Sequence, residues 1–458
     1  MDAPSPQGPT AAAPADHGRD AAAGGPRSEL RGDFGPVLAS MVGLAFSVGT
    51  LGFTYSIGPF IKPLTDEFGW SRQQLLGVQP FLTVAVIAVS VLLGWVADRH
   101  GVRRYILASQ LLFGLGFFAT AAWLESLTSF YVLYFLTALG AGATTSIGFS
   151  RLLAQRYDRQ RGLALGIANS GTGLCGFLVP PYATWAIGEF GWRGGYVALG
   201  LLPLCLALPL AWRYLHDQPA HGLPAGAGRG IGAESSASAT ASGSAPSAAA
   251  RPGSGSSPGL SFAQVLRGRQ FWLMSLALFC CSGVMAALIT NIVPLMQEQG
   301  HPASVAALVA AGFGVAVVIG RVTVGALIDR YWAPLVGAAL MFPAALAVVG
   351  LALWHPGPLL AGAVVFVAGL AAGAEVDLMA YVASRYFGLR EFGRIFAALY
   401  VGFALGPGVA LPLFGRARDL TGGYELGLLG VAAGIAAFGA LMLMLGPYPD
   451  FGRRDDAR

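Results

Sequence analysis

Charged side chains are scarce in this chain. Only 11% of its 458 residues are Asp, Glu, Lys or Arg, whereas charged residues make up about 25% of a typical soluble domain. The hydrophobic fraction is 55%, and 65 residues are glycine. This composition excludes an ordinary soluble protein and indicates a chain whose solvent is the lipid bilayer.

Lysine is almost absent, because Lys62 is the only one in the chain. A phosphate-binding P-loop requires a lysine inside a glycine-rich motif, and Lys62 has no such context. The sequence therefore excludes an ATP-driven pump of that type.

Cysteine and histidine are also few, and their positions exclude several kinds of site. The cysteines lie inside apolar segments, without the spacing of a disulfide framework or a metal site. The histidines lie in predicted tails and loops, and neither a catalytic triad nor a dinucleotide-binding turn is present. We therefore expect no enzymatic activity, no cofactor and no metal. The cysteines, interpreted as small packing residues, are Cys175, Cys205, Cys280 and Cys281.

Long apolar runs are abundant instead. Each is roughly 20 residues long, which is enough to cross about 30 Å of hydrocarbon as a helix. They fall into two groups of six. The predicted spans are 36–61, 74–97, 104–124, 129–152, 162–187, 194–214, 270–296, 303–328, 334–354, 358–384, 393–415 and 425–447.

The two groups repeat the same sequence signals. Gly69, Gly94 and Asp98 of the first group recur at one constant offset as Gly300, Gly325 and Asp329 of the second. A glycine-rich segment followed by Arg-Tyr also recurs, before Arg156-Tyr157 and Arg385-Tyr386. A duplicated membrane unit is typical of transporters. We predict an all-α membrane protein in which twelve transmembrane helices form two pseudo-symmetric six-helix bundles around a central site.

The arginines alternate between loops and form no single basic patch, so the pI of 9.1 does not indicate nucleic acid as a partner. If the amino terminus lies inside, the opposite loops hold only Lys62, Arg72, Arg193, Arg416 and Arg418. The positive-inside rule then places both termini in the cytoplasm. The expected location is the plasma (inner) membrane, with the lipid bilayer as a partner and a monomer as the assembly. Arginines on the cytoplasmic side are Arg99, Arg103, Arg104, Arg156, Arg159, Arg161, Arg267, Arg269, Arg385, Arg390 and Arg394.

Composition also divides the chain into domains. Segments rich in Ala, Gly, Ser and Pro have too few apolar side chains to order themselves. The predicted organisation is a disordered cytoplasmic tail (1–34), a six-helix bundle (35–215), a flexible cytoplasmic linker (216–260), a second six-helix bundle (261–448) and a cytoplasmic tail (449–458). Residues 261–270 form either a short interfacial helix or an extended end of the seventh span.

The loop between the second and third spans is predicted to act as a cytoplasmic latch. Its glycines allow helices to approach closely, its aspartate lies near helix ends, and its arginines can pair across the cytoplasmic face. The second copy keeps Gly, Asp and Arg but loses the trailing basic residues, which predicts a weaker latch. The latch residues are Gly94, Asp98, Arg99, Gly101 and Arg103 in the first copy, and Asp329 and Arg330 in the second.

Three ionisable residues lie clearly inside predicted spans, namely Arg321, Glu375 and Asp377. A charge near the bilayer centre costs about 2.5–3.5 kcal/mol on insertion scales, so such residues tend to mark function. Two carboxyls two residues apart point about 200° from each other on a helix, so at most one faces the cavity, and we favour Asp377. The alternative is a buried ion pair that only fixes helix packing.

If these residues are functional, Arg321 binds a carboxylate substrate, because its planar guanidinium matches two oxygens. Burial favours the protonated form of a carboxyl group and a nearby arginine favours the charged form, so displacement of the arginine by substrate is a protonation switch. Softer candidates for substrate contact are Tyr55, Asn169, Asn291 and Tyr400.

Several segments resemble the monocarboxylate transporter branch of the major facilitator superfamily, which includes bacterial oxalate/formate exchangers. The likeness covers nearly all of both halves. It rests on 55–60 (YSIGPF), 67–72 (EFGWSR), 161–173 (RGLALGIANSGTG), 320–329 (GRVTVGALID) and 412–424 (PLFGRARDLTGGY). The loop at 94–104 resembles the signature loop of the superfamily.

The resemblance implies an organic-anion carrier that works by alternating access, with Arg321 binding the carboxylate and Tyr55 lining the site. Proton-coupled animal members have an aspartate one turn before that arginine, where this chain has Val317, so a tenth-span acid would have to substitute. Oxalate exchangers add an eleventh-span lysine, which is lacking here, so a monoanion is favoured over oxalate.

Two other functions compete with proton-coupled uptake of monocarboxylates. A drug or metabolite exporter of the same superfamily is the main rival, although residues 175–181 (CGFLVPP) differ from the glycine-proline-glycine signature of proton/drug antiporters. A transporter-like sensor that does not translocate is the other, although sensors usually append a signalling domain.

Overall fold

The computed structural model describes residues 33–100, 102–157, 161–216, 259–328, 330–354, 356–388 and 390–449, with the backbone alone at some of them, including 90–100 and 377. These residues are almost entirely helical. Eight helical segments among them are long and apolar enough to cross a membrane. One, Ala164–Tyr214, is 51 residues long and contains both the fifth and the sixth predicted spans.

Helices cover all twelve predicted spans. Six of them are single helices in the second half. In the first half, the first and fourth spans each consist of two helices. The spans are Gly35–Ala45 with Ile57–Phe68, Gln79–His100, Val102–Trp123, Leu127–Gly140 with Ser146–Arg156, Arg161–Leu202 continued by Pro203–Ala207 and Leu208–Tyr214 (fifth and sixth), Arg269–Glu298, Ala303–Ile328, Ala333–Trp354, Pro358–Phe387, Phe392–Thr421 and Glu425–Leu443.

The interruptions of the first and fourth spans are bonded to each other. Residues 46–56 leave the first helix, and the hydroxyl of Thr50 donates to the carbonyl of Ala45 at 2.7 Å. The backbone N–H of Val48 donates to Thr144 Oγ1 at 3.0 Å, across to the short 3₁₀ turn Gly142–Thr144 of the fourth span. Hydroxyl groups thus replace the backbone hydrogen bonds that are lost where the helix is interrupted. Backbone N–H and C=O groups in apolar surroundings need such partners.

Four glycines with positive φ end helices at the same face of the molecule. Gly69 (φ 67°) and Gly300 (φ 87°) are 231 residues apart, and so are Gly191 (φ 69°) and Gly422 (φ 73°). The same offset of 231 relates the repeated Gly and Asp residues of the sequence, so the duplication extends to backbone conformation. We call the face with these four glycines the outer face, and the opposite face the inner face. The arginine distribution predicts that the inner face is cytoplasmic.

The two halves meet along three pairs of spans. Gly314 of the eighth span lies so close to the fifth span that a Cβ there would be 2.2 Å from the nitrogen of Phe177. Thr290 of the seventh span donates to the carbonyl of Thr54 at 3.4 Å, and Thr83 of the second donates to the carbonyl of Ala404 in the eleventh at 3.4 Å. The latter two contacts lie toward the outer face.

The connections at the inner face are more structured than their composition indicates. Asp33, assigned from the sequence to the tail, forms an ion pair with Arg156, and its carbonyl accepts from Tyr157 Oη. Leu260, assigned to the linker, donates to the carbonyl of Phe387 at 2.9 Å. The remainder of the predicted tails and linker (1–32, 217–258 and 450–458) lies outside the described residues, and the domain boundaries stay predictions.

A separate six-residue helix, Phe262–Arg267, precedes the seventh span. The side chain of Gln264 accepts from the N–H of Ser261 at 2.9 Å, and Gly268 in extended conformation (ψ 133°) separates the two helices. Of the two alternatives for this segment, the structure therefore has the short helix.

The repeated outer-face glycines provide a test of the fold. Gly422 has a φ of 73°, a conformation that costs an L-residue about 1–2 kcal/mol, and a Cβ there would meet nothing within 4 Å. We expect Gly422→Ala to lower the thermal unfolding midpoint in detergent by about 1–4 °C. Gly423→Ala is the matched control, because Gly423 also has open space but no positive φ. Equal midpoints for the two variants would contradict this assignment of strain.

Candidate functional site

Close packing of the eighth and tenth spans fixes the position of Arg321. A Cβ at Gly320 would lie 2.3 Å from the carbonyl oxygen of Leu370, and a Cβ at Gly373 would lie 2.3 Å from that of Val317. Gly369, one helical turn before Gly373, is equally tight against the eighth span, with Ala316 Cβ 2.7 Å from its ideal Cβ. Small residues four apart allow such contacts between membrane helices. The backbone that carries Arg321 is therefore held against the tenth span.

Arg321 itself is partly buried and reaches the other half of the protein. Its Nη1 donates to the backbone carbonyl of Asn169 in the fifth span at 3.3 Å. Its Nε is buried and has no hydrogen-bond partner among the residues that the structure describes. A cation with an unused donor thus lies at the junction of the two halves, where a bound anion would find it.

Tyr55 lies in the same region, on the interrupted part of the first span. Its ring packs against Gly176 of the fifth span, where an added Cβ would be 2.8 Å from Tyr55 Cε1. The ring also lies 6.4 Å from that of Phe313 in the eighth span, measured between centroids. Tyr55 interacts electrostatically with Arg321 and Glu375. Three of the residues predicted from the sequence are therefore neighbours.

Glu375 is the described carboxyl group of this region. It is 5% exposed, its Oε1 has no hydrogen-bond partner among the described residues, and its carboxyl group lies near Cys281 and Arg321. An unsatisfied buried oxygen costs free energy until a proton or a donor reaches it. The side chain of Asp377, favoured from the sequence as the cavity group, lies outside the described residues.

The remaining candidates for substrate contact differ in their surroundings. Asn169 offers its backbone carbonyl to Arg321, while its amide donates to the carbonyl of Leu165 at 3.0 Å. Asn291 is 2% exposed, its amide donates to the carbonyl of Ala287 at 2.9 Å, and no described residue bonds to its Oδ1. Tyr400 is 38% exposed, and its ring stacks on Phe403 of its own helix. This ring contact lies within the eleventh span and does not connect Tyr400 with Arg321.

Most of the predicted latch lies outside the described residues. The backbone of Gly94 belongs to the helix Gln79–His100, whereas the side chains of Asp98 and Arg99 and the residues Gly101 and Asp329 lie outside the described part of the chain. Arg103 donates to the carbonyl of Trp212 at 2.9 Å, which ties the third span to the end of the sixth within the first half. Arg330 is exposed. The latch remains a prediction.

Sequence reasoning missed two residues that shape this region, namely Phe313 and Gly373. The repeat of glycine at 369 and 373 is a small-residue motif that could have identified the contact of the eighth and tenth spans. The neighbours of Tyr55 come from distant segments and leave no local signal. Among the described residues, no three His, Cys, Asp or Glu side chains are grouped to hold a metal ion.

Comparisons with known proteins identify a family and several relatives. The family model described as Major Facilitator Superfamily matches residues 41–411. "Monocarboxylate transporter 11" of Homo sapiens is 26% identical over 428 residues, covering 87% of this chain and 80% of that protein. The "Gallate transporter" of Pseudomonas putida is 29% identical over 389 residues, covering 79% and 84%.

Solved structures agree on the fold. The crystal structure of the D-xylose-proton symporter superposes with a TM-score of 0.67 at 13% identity and covers 91% of this chain and 98% of that one. At this identity the match concerns the fold alone.

The tight contact at Gly373 leads to a prediction about the site. Gly373→Ala would place a methyl group 2.3 Å from a backbone oxygen, so the helices must separate at Arg321. Overpacking of this kind costs about 1–3 kcal/mol. We expect a lower thermal midpoint and impaired transport in proteoliposomes. Gly362→Ala on the same helix is the control, since nothing lies within 4 Å of its ideal Cβ. If both variants behave like the parent protein, the contact does not hold the site.

Proposed function

Because the chain belongs to the Major Facilitator Superfamily, and is therefore a secondary transporter in a membrane, we propose that it carries small organic anions. The proposed substrates are monocarboxylates, the proposed coupling ion is the proton, and the proposed mechanism is alternating access. The proposed working unit is a monomer in the plasma membrane, with both termini in the cytoplasm.

The position of Arg321 carries this proposal. An arginine is charged at any physiological pH and matches the two oxygens of a carboxylate. Its guanidinium already crosses between the halves to the carbonyl of Asn169, and within the described part of the chain its Nε has no partner. A carboxylate bound there would contact the second half directly and lie at the face of the first. Binding would therefore act on the interface whose rearrangement moves the substrate.

Glu375 is the proposed proton carrier. It supplies the acid that the eighth span lacks, since Val317 occupies the position one turn before Arg321. The backbone of Val317 packs on Gly373, two residues before Glu375, so the tenth span brings its own carboxyl close to the arginine. A substrate that engages Arg321 weakens the attraction between Arg321 and Glu375 and favours proton uptake. Asp377 remains the alternative carrier.

The aromatic rings of this region bear on the kind of acid. The ring centroids of Tyr55 and Phe313 are 6.4 Å apart, and Tyr55 lies near Arg321. The two relatives described above are named as a monocarboxylate transporter and a gallate transporter. Aliphatic and aromatic monocarboxylates are both consistent with an apolar, ring-lined approach to one cation, and one cation is a poor match for a dianion.

Removal of Arg321 tests the substrate class. Hydrogen bonds to a charged group contribute about 1.5–3 kcal/mol, so Arg321→Ala should lower uptake of labelled short and aromatic carboxylates at least about tenfold. Arg321→Lys should restore part of this uptake, because lysine keeps the positive charge but lacks the planar guanidinium. Uptake is measured in proteoliposomes with and without an inward proton gradient.

Arg416→Ala is the control for this test, since it removes an exposed arginine from the same half. Unchanged carboxylate uptake in Arg321→Ala would rule out the proposed site. If the parent protein moves no carboxylate and instead extrudes cationic or neutral drugs, the exporter interpretation replaces the present one.

A second substitution tests the proton carrier. Glu375→Gln keeps the shape of the side chain and removes its ionisation, so we expect loss of gradient-driven accumulation while substrate exchange at equal pH persists. Asp377→Asn is made in parallel. If Asp377→Asn alone abolishes accumulation, the carrier is Asp377. If neither variant alters the dependence on the proton gradient, transport is not coupled through these acids.

A further inference from the structure

A cluster of charged residues joins the two halves at the outer face, away from Arg321. One member, Arg72, follows the first span and belongs to the first half. The others belong to the second half and lie at the ends of the seventh and eleventh spans and before the twelfth. We call the set Arg72, Glu298, Arg418, Asp419 and Tyr424 the outer cluster.

Glu298 is the acidic centre of the outer cluster. Arg72 Nη2 donates to its Oε1 from the opposite half, and Arg418 Nη2 donates to its Oε2 at 2.8 Å from its own half. The side chains of Arg72, Arg418 and Glu298 are 11%, 22% and 32% exposed. Exposed ion pairs contribute little, but charge-assisted bonds in partly desolvated surroundings are roughly twice as strong as neutral ones. These pairs therefore bias the position of the halves.

Asp419 makes a second connection across the halves. Its Oδ1 and Oδ2 accept from the backbone N–H groups of Arg72 and Gln73, at 3.2 and 2.9 Å. These N–H groups open the short helix Arg72–Leu76 and have no partner within that helix. The approach requires a glycine on the eleventh span, because a Cβ at Gly415 would lie 2.8 Å from the nitrogen of Gln73.

Tyr424 completes the outer cluster. Its hydroxyl accepts from Arg72 Nη1, and its ring lies 5.1 Å from the guanidinium carbon of Arg72 and 5.4 Å from that of Arg418. Tyr424 is 5% exposed, and burial raises the pKa of its hydroxyl, so it stays neutral between the two cations. Arg72 thus bonds to the other half through its backbone N–H and its guanidinium nitrogens, and its guanidinium also packs over the ring of Tyr424.

The duplication shows that the outer cluster is no requirement of the fold. Glu298 corresponds to Glu67 of the first half at the same offset as Gly300 to Gly69, and Glu67 is exposed. The counterpart of Arg72 is Ala303. The chain therefore has a pair of equivalent glutamates of which one joins the halves and the other does not.

From these contacts we propose that the outer cluster is the gate of the outer face, in which Arg72 bonds to Glu298, Asp419 and Tyr424 and must release them for the outer face to open. The present structure is the state with this gate closed. Opening exposes the separated charges of Arg72, Glu298 and Asp419 to water. Their hydration offsets part of the free energy that is lost when the bonds between them break. The proposal assumes a transporter but does not depend on which substrate it carries.

The test measures the distance across the gate. Spin labels are attached at Asp66→Cys in the first half and Leu420→Cys in the second, both at exposed positions, in a cysteine-free background that retains transport. Distances are recorded by pulsed electron resonance in nanodiscs. A loss of about 1.4 kcal/mol from the stability of the closed gate relative to the open gate changes the ratio of the two states tenfold. We expect Arg72→Gln and Glu298→Gln to raise the ratio of long to short distances threefold to tenfold.

Glu67→Gln is the matched control, since it removes the same charge from the equivalent position, and its distances should equal those of the parent. Glu298→Asp should give an intermediate ratio, and single symmetric elution peaks with parental thermal midpoints confirm that the variants fold. Unchanged distances in Arg72→Gln and Glu298→Gln, or an equal shift in Glu67→Gln, would overturn the gate. The labels report without substrate, so the result stands apart from the Arg321→Ala uptake test.

Discussion

A permanent positive charge in the apolar contact between two helix bundles is the constraint around which the centre of this protein is arranged. The guanidinium of Arg321 has five N–H donors and no acceptor, so its surroundings must supply acceptors. The fifth span supplies a backbone carbonyl from Asn169, and the tenth span supplies the nearby carboxyl of Glu375. The eighth and tenth spans approach so closely at Gly320 and Gly373 that the position of the charge is set by backbone contact.

The halves are joined by two different kinds of contact. At the centre, Gly314 packs directly on the backbone of the fifth span, and contact of this kind depends on shape. At the outer face, charged groups and backbone N–H groups bond across the same boundary through Arg72 and Asp419. Packed backbone resists sliding over short distances, whereas charged groups that separate can be rehydrated. The two halves can therefore rotate about their contact at the centre, while their contact at the outer face can separate.

The sequence predicts the helical spans and the duplication well, because each leaves a local or periodic signal. The repeated glycines Gly69 and Gly300 share a positive φ, so the duplication read from the sequence extends to backbone conformation. The interruption near Thr50 escapes prediction, because hydroxyl bonds replace helical ones inside an uninterrupted apolar run. The bond between Arg72 and Glu298 escapes it too, since 226 residues separate the partners. Helical phase alone could not decide between Glu375 and Asp377.

The linked breaks of the first and fourth spans give the two bundles unequal mechanical character. Residues 46–56 and the turn Gly142–Thr144 divide two helices of the first half into segments tied by the hydroxyl of Thr144. Their equivalents in the second half, Arg269–Glu298 and Pro358–Phe387, run for 30 residues each without a break. One bundle can therefore bend within itself while the other turns as a stiff lever. Bending during each transport cycle then occurs in the first bundle, which carries Tyr55.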